Sequence, residues 1–278
     1  MTVWRRSLRD AIATPALAEP AAWIYQALDT INPRVALANA RYRRNGAPDE
    51  LPIPPADLRF VVAGTTDISW FLEAGARAAE SISQSIAQTG HAVADFDTIL
   101  DFGCGCGRVL RHWRSLDRTR ICGSDYNRRL VDWCNENLSF TDVRTNQLEP
   151  PLGYRDSEYN LVYALSVFTH LTAELQGPWM RELTRITIPG GYVVLSAHGE
   201  AYLSRLTSEE KKRFAAGQIV VKNNVTAPGS NMCAAYHPTA YVRDQLAAGL
   251  DIIDFIPEGA KGNPRQDLYV LRKPEGSR

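Results

Sequence analysis

The residues that could do chemistry are concentrated in one stretch. Ile99 to Trp113 reads ILDFGCGCGRVLRHW, with Gly103, Gly105 and Gly107 alternating with Cys104 and Cys106 just after Asp101. Three uses fit such a run: a thiolate metal or redox site, a turn that needs only flexibility, or a loop whose bare backbone wraps a ligand. The remaining cysteines, Cys122, Cys134 and Cys233, form no second close pair, and no histidine stands at zinc-ligand spacing from them. A metal is therefore not expected, and the thiols read as small side chains filling tight space beside the glycines. Downstream, Asp125 in GSDYN offers a carboxylate that could accept a pair of hydroxyls. His170 (SVFTHL), His198 (LSAHG) and His237 (AAYHP) offer imidazoles that could carry a proton. For each histidine a structural role competes: organising a turn for His170, a solvated loop for His198, and the approach to a helix at Pro238 for His237.

The surrounding elements decide how to read the glycines. TILDF (98–102) has the texture of a strand, and the spacing predicts a helix from Arg108 to about Ser115. A second strand is expected over 119–125 and a helix over 127–138, followed by strands near 141–145, 159–165 and 191–197. A helix beginning near Pro178 precedes the last of these. Strands joined by crossover helices imply an α/β, doubly wound, mostly parallel sheet. The tail adds a helix (238–248) and two β segments (251–256, 267–273) suited to a terminal hairpin. Before the sheet, apolar residues recur at helical spacing from Asp67 to Gln88, with Thr66 or Asp67 as cap and Gly90 as stop. Helical pieces at 21–28 and 33–42, followed by a proline-rich connector, make residues 1–94 a helical N-terminal extension. The sheet domain then covers 95–278, with a substrate-side insert at 200–237.

In an open α/β sheet, ligands sit in the crevice beyond the carboxyl ends of the strands. Glycines after the first strand bring the main chain close to such a ligand, and the expected helix at Arg108 would aim unpaired N–H groups at it. The register is G-x-G-x-G, whereas the dinucleotide fingerprint is G-x-G-x-x-G. Asp101 would repel a pyrophosphate and favour a cationic ligand. Asp125 at the tip of strand two could accept both hydroxyls of a ribose, with Tyr126 offering a flat face to a purine. The competing role for Asp125 is a cap on the helix at Asn127.

ILDFGCGCGR resembles motif I of the class I S-adenosylmethionine-dependent methyltransferases, and GSDYN resembles their acidic strand-two tip. NQLEPPL (146–152), YNLVYALSVFTHL (159–171) and LTRITIPGGYVVLS (183–196) are similar to later segments of the same domain. The resemblance spans roughly 95–200. It implies a seven-stranded Rossmann-like sheet whose last strand is antiparallel, and S-adenosylmethionine as cofactor. Carried over, Asp101, Gly103, Cys104, Gly105 and Gly107 would surround the methionine part. Asp125 would hold the ribose, and Tyr126, Asn146, Gln147 and Leu148 the adenine, although an aspartate is commoner at the start of that last segment. Leu165 and Ser166 would lie beneath the methionine moiety.

Composition narrows the acceptor. Lys+Arg and Asp+Glu each number 31, so no net charge draws in a polyanion, and no N-P-P-Y or D-P-P-Y segment follows strand four. No apolar run is long enough to span a bilayer, and the N-terminus lacks the apolar stretch of a signal peptide. The expectation is a cytoplasmic enzyme methylating oxygen or nitrogen of a small molecule, with no nucleic-acid or membrane partner and a homodimer among its open states. His170 and His198 are the candidate bases, and Trp70, Phe71 and Tyr236 the candidate walls of the acceptor pocket. Aminopropyl transfer, methylation of nucleic acid or protein, and a silent cofactor-binding subunit remain as alternatives.

Overall fold

The computed structural model describes residues 32–222, 233–262 and 265–276; the helical piece expected at 21–28 lies outside them, as does part of the insert. Seven strands build the main sheet: β1 (Thr98–Phe102), β2 (Arg120–Asp125), β3 (Thr141–Thr145), β4 (Tyr159–Ala164), β5 (Thr187–Ala197), β8 (Asp251–Ile256) and β9 (Asp267–Arg272). Their spatial order is β3-β2-β1-β4-β5-β9-β8. The first five are parallel, while β9 runs antiparallel to β5 and forms the terminal hairpin with β8. A separate two-stranded ribbon joins β6 (Val220–Lys222) to β7 (Ala234–Tyr236).

Period-two alternation sends successive residues of each strand to opposite faces. Ile99, Ile121, Leu161, Tyr163 and Val194 pack on one face, whereas Leu100, Cys122, Val162, Val193 and Leu195 pack on the other. Helices α1 (Pro33–Asn45), α2 (Ala56–Ala63) and α3 (Ile68–Ala87) precede the sheet, and α4 (Arg128–Asn137) follows β2. Helix α3 starts where the sequence places it, with the Asp67 carboxylate accepting the Trp70 N–H at 3.2 Å. Its apolar stripe and that of α4 cover the first face. Helix α5 (Ala173–Ile186) covers the second with Trp179, Met180, Leu183 and Ile186. Since α3 shares one core with β1 and β4, the boundary expected at 94 does not coincide with the edge of a core.

Three local expectations need correction. No α-helix follows β1: only a 3-10 turn forms at Leu110–Trp113, because few residues separate Gly107 from β2 and a first helical turn is unfavourable on its own. No helix N-terminus therefore points at the glycine loop from Arg108. Helix α5 begins at Ala173, with Thr172 at its N-cap, and carries Pro178 inside it. The expected helix at 238–248 is an α-turn at Thr239–Tyr241 running into a π-helical segment, Val242–Leu246.

The extension is tied to the sheet by polar contacts. The Arg111 guanidinium, almost wholly buried, donates to both Asp49 carboxylate oxygens at 2.6 and 2.7 Å. Asn39 of α1 donates to the Thr66 carbonyl (3.0 Å) and accepts the Ile68 N–H (2.8 Å). The buried Arg59 donates to the carbonyls of Thr66 and Pro54. Asp49→Ala should therefore destabilise the fold by about 3 kcal/mol, since it strands a buried cation. Urea unfolding measures this, and a loss below about 1 kcal/mol would show that Arg111 finds other partners.

Candidate functional site

The loop after β1 is a backbone device. Gly103, Gly105 and Gly107 all adopt positive φ, at +78°, +57° and +74°. A side chain at Gly103 would strike Val167, one at Gly105 would strike Val62 of α2, and one at Gly107 would strike Leu138. Gly103 and Cys104 both donate their N–H to the Ser124 carbonyl, at 2.7 and 3.1 Å, so the loop curls over the end of β2. The Gly105 N–H reaches one oxygen of Asp125 at 2.9 Å, and the Asn127 N–H reaches the other at 2.8 Å. Asn127 itself caps α4, its side chain accepting the Arg129 N–H. Asp125 thus binds the loop as well as the turn into α4. Burial pushes its carboxyl above the usual range, opposed by those two N–H donors.

Asp101 lies at the centre of the sheet's carboxyl edge, buried. Its partner is the Tyr163 hydroxyl, which in turn accepts the Trp113 indole N–H at 2.8 Å. Burial pushes Asp101 up to about 8, although Tyr163 and the buried Arg108 pull it back. Beside Asp125, the Asn146 side chain accepts the Ser124 hydroxyl at 2.6 Å and donates to the Gln147 carbonyl, while the Leu148 carbonyl accepts the Trp179 indole N–H. Tyr126 stands 44% exposed next to Asp125. Leu165 and Ser166 follow the last residue of β4, and Ser166 holds a left-handed backbone, φ +62°, which is uncommon for a residue with a side chain.

The cysteines lie beneath the loop. Cys104 meets Cys134, and both thiols lean on the Gly105 carbonyl, at 3.6 and 3.4 Å. Burial and the neighbouring thiol push Cys104 well up, and burial does the same to Cys106. Burial thus favours the protonated thiol at both positions. Among the described residues, no three His, Cys, Asp or Glu side chains converge as a metal site would require.

Residues 100–195 match the family model described as a methyltransferase domain. Over these residues the chain is similar to the class I S-adenosylmethionine-dependent methyltransferase domain. A curated relative, the malonyl-[acyl-carrier protein] O-methyltransferase of Yersinia pestis, is 26% identical over 139 residues, 47% of this chain and 51% of the relative. This chain thus matches about half the length of that relative. A methyltransferase structure from Mesorhizobium loti is 16% identical, with TM-score 0.49 over 63% of this chain and 90% of that one. The N-methyltransferase NodS from Bradyrhizobium japonicum, solved with S-adenosylhomocysteine, is 14% identical, with TM-score 0.46 over 72% and 86% of the two chains.

S-adenosylmethionine is the cofactor of this methyltransferase class, and the donor set suits it. Each Asp125 oxygen accepts one N–H and retains a lone pair, which two ribose hydroxyls require. A cluster of rings gathers beyond the carboxyl ends of β4 and β5. His198 and His170 lie at right angles, ring centroids 6.4 Å apart, and His198 stacks on Tyr202 at 4.1 Å and nears Tyr236 at 5.5 Å. Tyr236 is therefore close to the histidines, whereas Phe71 is wholly buried in the core beneath the Arg111 guanidinium and forms no pocket wall. Trp70, half-buried, sits in the first turn of α3. Sequence reasoning missed Tyr163, Ser196, Gln266 and Val62. Ser196 left one signal, a hydroxyl inside the apolar strand GYVVLSA; Gln266 left none.

Replacing Cys104 and Cys106 together by alanine should cost about 1–2 kcal/mol of stability from lost packing while leaving most cofactor affinity in place. Calorimetry on the folded variant checks this, and a variant that binds cofactor but cannot turn over would give the thiols a chemical role.

Proposed function

We propose that the protein transfers a methyl group from S-adenosylmethionine to oxygen or nitrogen of a small-molecule acceptor, over the carboxyl ends of β1, β2, β4 and β5. The observation that carries this reading is the Gly105–Asp125 hydrogen bond. It holds a left-handed glycine loop and a buried carboxylate together as one ligand cradle. Bound there, the sulfonium methyl is already an activated electrophile, so the protein needs mainly to align the acceptor at about 3 Å and exclude water. Asp125 would hold the ribose hydroxyls, and the ammonium of the methionine part would draw the buried Asp101 carboxyl into its ionised form. The balanced charge of the chain supports a small acceptor over nucleic acid.

The three histidines divide by what their nitrogens already do. His237 is buried and places Nε2 on the Gln176 side chain at 3.1 Å. His198 places Nδ1 on the Ala235 carbonyl (3.1 Å) and Nε2 near the Gln266 amide (3.4 Å). Burial depresses both to about 3. His170 donates Nδ1–H to the Cys233 carbonyl at 2.7 Å, which leaves the Nε2 lone pair as its basic atom, and the ring is only half-buried. We assign His170 as the general base when the acceptor is a hydroxyl or a protonated amine. A second reading follows the relative named for malonyl-[acyl-carrier protein]: an acceptor oxygen that already carries negative charge needs no base.

Calorimetry should show S-adenosylmethionine and S-adenosylhomocysteine binding, with NAD and ATP far weaker; comparable NAD affinity would overturn the reading of the loop. Asp125→Ala should weaken cofactor binding by about 1.5–3 kcal/mol, and unchanged affinity would place the ribose elsewhere.

Labelled methyl transfer into a metabolite extract would identify the acceptor. With it, His170→Ala should lower kcat roughly 100-fold or more, while turnover that survives the change favours the charged-oxygen reading. Because burial lowers the His170 pKa below 6.5, the neutral base persists into mild acid. The acid limb of kcat/KM should accordingly lie below pH 6.5, and a limb above that value would identify a different base.

A further inference from the structure

At the carboxyl ends of β4 and β5 lies a hydrogen-bond network in which each donor can be assigned. The Ser166 N–H donates to Ser196 Oγ at 2.7 Å, and the Ser196 hydroxyl donates to Gln266 Oε1 at 2.7 Å. The oxygen end of the Gln266 amide thus faces Ser196. Its NH2 group therefore faces Ser166 Oγ at 2.9 Å and His198 Nε2 at 3.4 Å. Thr169 donates to the Ser166 carbonyl at 2.9 Å, so the Ser166 hydroxyl donates to Thr169 Oγ1 at 3.2 Å. On the far side, His198 Nδ1–H donates to Ala235 of β7. Gln266, Ser196 and His198 are all buried.

Two consequences meet at Gln266. Its amide helps clamp Ser166 in a left-handed backbone, a conformation that costs about 1 kcal/mol or more and persists only when its surroundings enforce it. The next residue, Val167, presses on Gly103 of the cofactor loop. The same amide donates to the His198 lone pair and so holds that ring neutral beside His170. The groups facing His198 are His170, His237, Tyr202, Tyr236 and Arg205, and none of its hydrogen-bond partners is a carboxylate.

We propose that Gln266 is a positioning residue for methyl transfer, acting through Ser166 on the cofactor side and through His198 on the acceptor side. This rests on reading the crevice as the transfer site. Gln266 touches neither reacting atom; it couples the tip of β4 to the histidine pair from just ahead of β9, far along the chain.

Three variants test it: Gln266→Leu, the near-isosteric Gln266→Glu, and Ser196→Ala, which removes the hydroxyl that bonds the amide and accepts the Ser166 N–H. Melting curves establish which of them fold. In the wild type, nitrogen-detected NMR of the imidazoles should show His198 as the neutral Nδ1–H tautomer. In Gln266→Glu a carboxylate replaces the donating amide, so His198 should take a proton on Nε2 and remain an imidazolium at pH 7. Gln266→Leu should weaken S-adenosylhomocysteine binding roughly tenfold, the scale of one hydrogen bond, and Ser196→Ala should weaken it in the same direction. An Nε2–H tautomer in the wild type, an unchanged His198 signal in Gln266→Glu, or wild-type affinity in the folded variants would overturn the proposal. Failure of the wild type itself to bind S-adenosylhomocysteine would instead overturn the reading of the crevice, and the tautomer measurement does not depend on that outcome.

Discussion

The hydrogen bond from Gly105 to Asp125 is the constraint around which the site is organised. A parallel sheet places the ends of β1 and β2 side by side, with Asp101 level with Gly123 and Phe102 with Ser124. The chain leaving β1 must then turn sharply without shielding the edge of β2. Three left-handed glycines make that turn, and the bond at 2.9 Å fixes where it ends. The carboxylate that receives the loop keeps lone pairs free at the same edge, so on the proposed function loop geometry and ligand affinity would depend on one residue. Any substitution at Asp125 therefore acts on both, and Asp125→Asn would separate charge from shape better than a truncation does.

The extension is part of this arrangement. Because only a 3-10 turn follows β1, helix α3 supplies most of the covering on that side of the sheet, and its Gly75 lies against the Arg108 backbone. The Arg111–Asp49 pair and the Asn39 and Arg59 bonds around Thr66 hold α1 and α2 in register with α3. Helix α2 then brings Val62 against Gly105. Helices α1 to α3 thus wall one side of the glycine loop, and the stability of the extension bears on that loop's shape.

Much of the sheet was legible because strands buried on both faces read as short apolar runs, and all seven appear close to their expected positions. The start of α3 was legible because Asp67 is a strong cap followed by a long periodic stripe. The segment after Gly107 was misread. Its apolar spacing suits a helix, but the segment forms only a 3-10 turn, and the burial of Arg111 against Asp49 depends on a contact remote in sequence. Within the site, Asp125 and the glycines announced themselves through spacing from a strand. Ser196, Gln266 and Tyr163 did not, because their roles arise only where strands distant in the chain become neighbours. The histidines were visible as residue types, yet the contrast between the half-buried His170 and the buried His198 and His237 depends on packing, carbonyls and amides that no spacing records.

The central claim is that the crevice at Asp125 and the glycine loop is a cofactor cradle, and a crystal structure grown with S-adenosylhomocysteine tests it most directly. The account predicts ligand density over Gly103–Gly107, with both ribose hydroxyls on the Asp125 carboxylate and the base beside Tyr126. Density settling instead elsewhere, such as the roughly 650 Å³ cavity bounded by Tyr42, Pro54 and Arg59 in the extension, would contradict it.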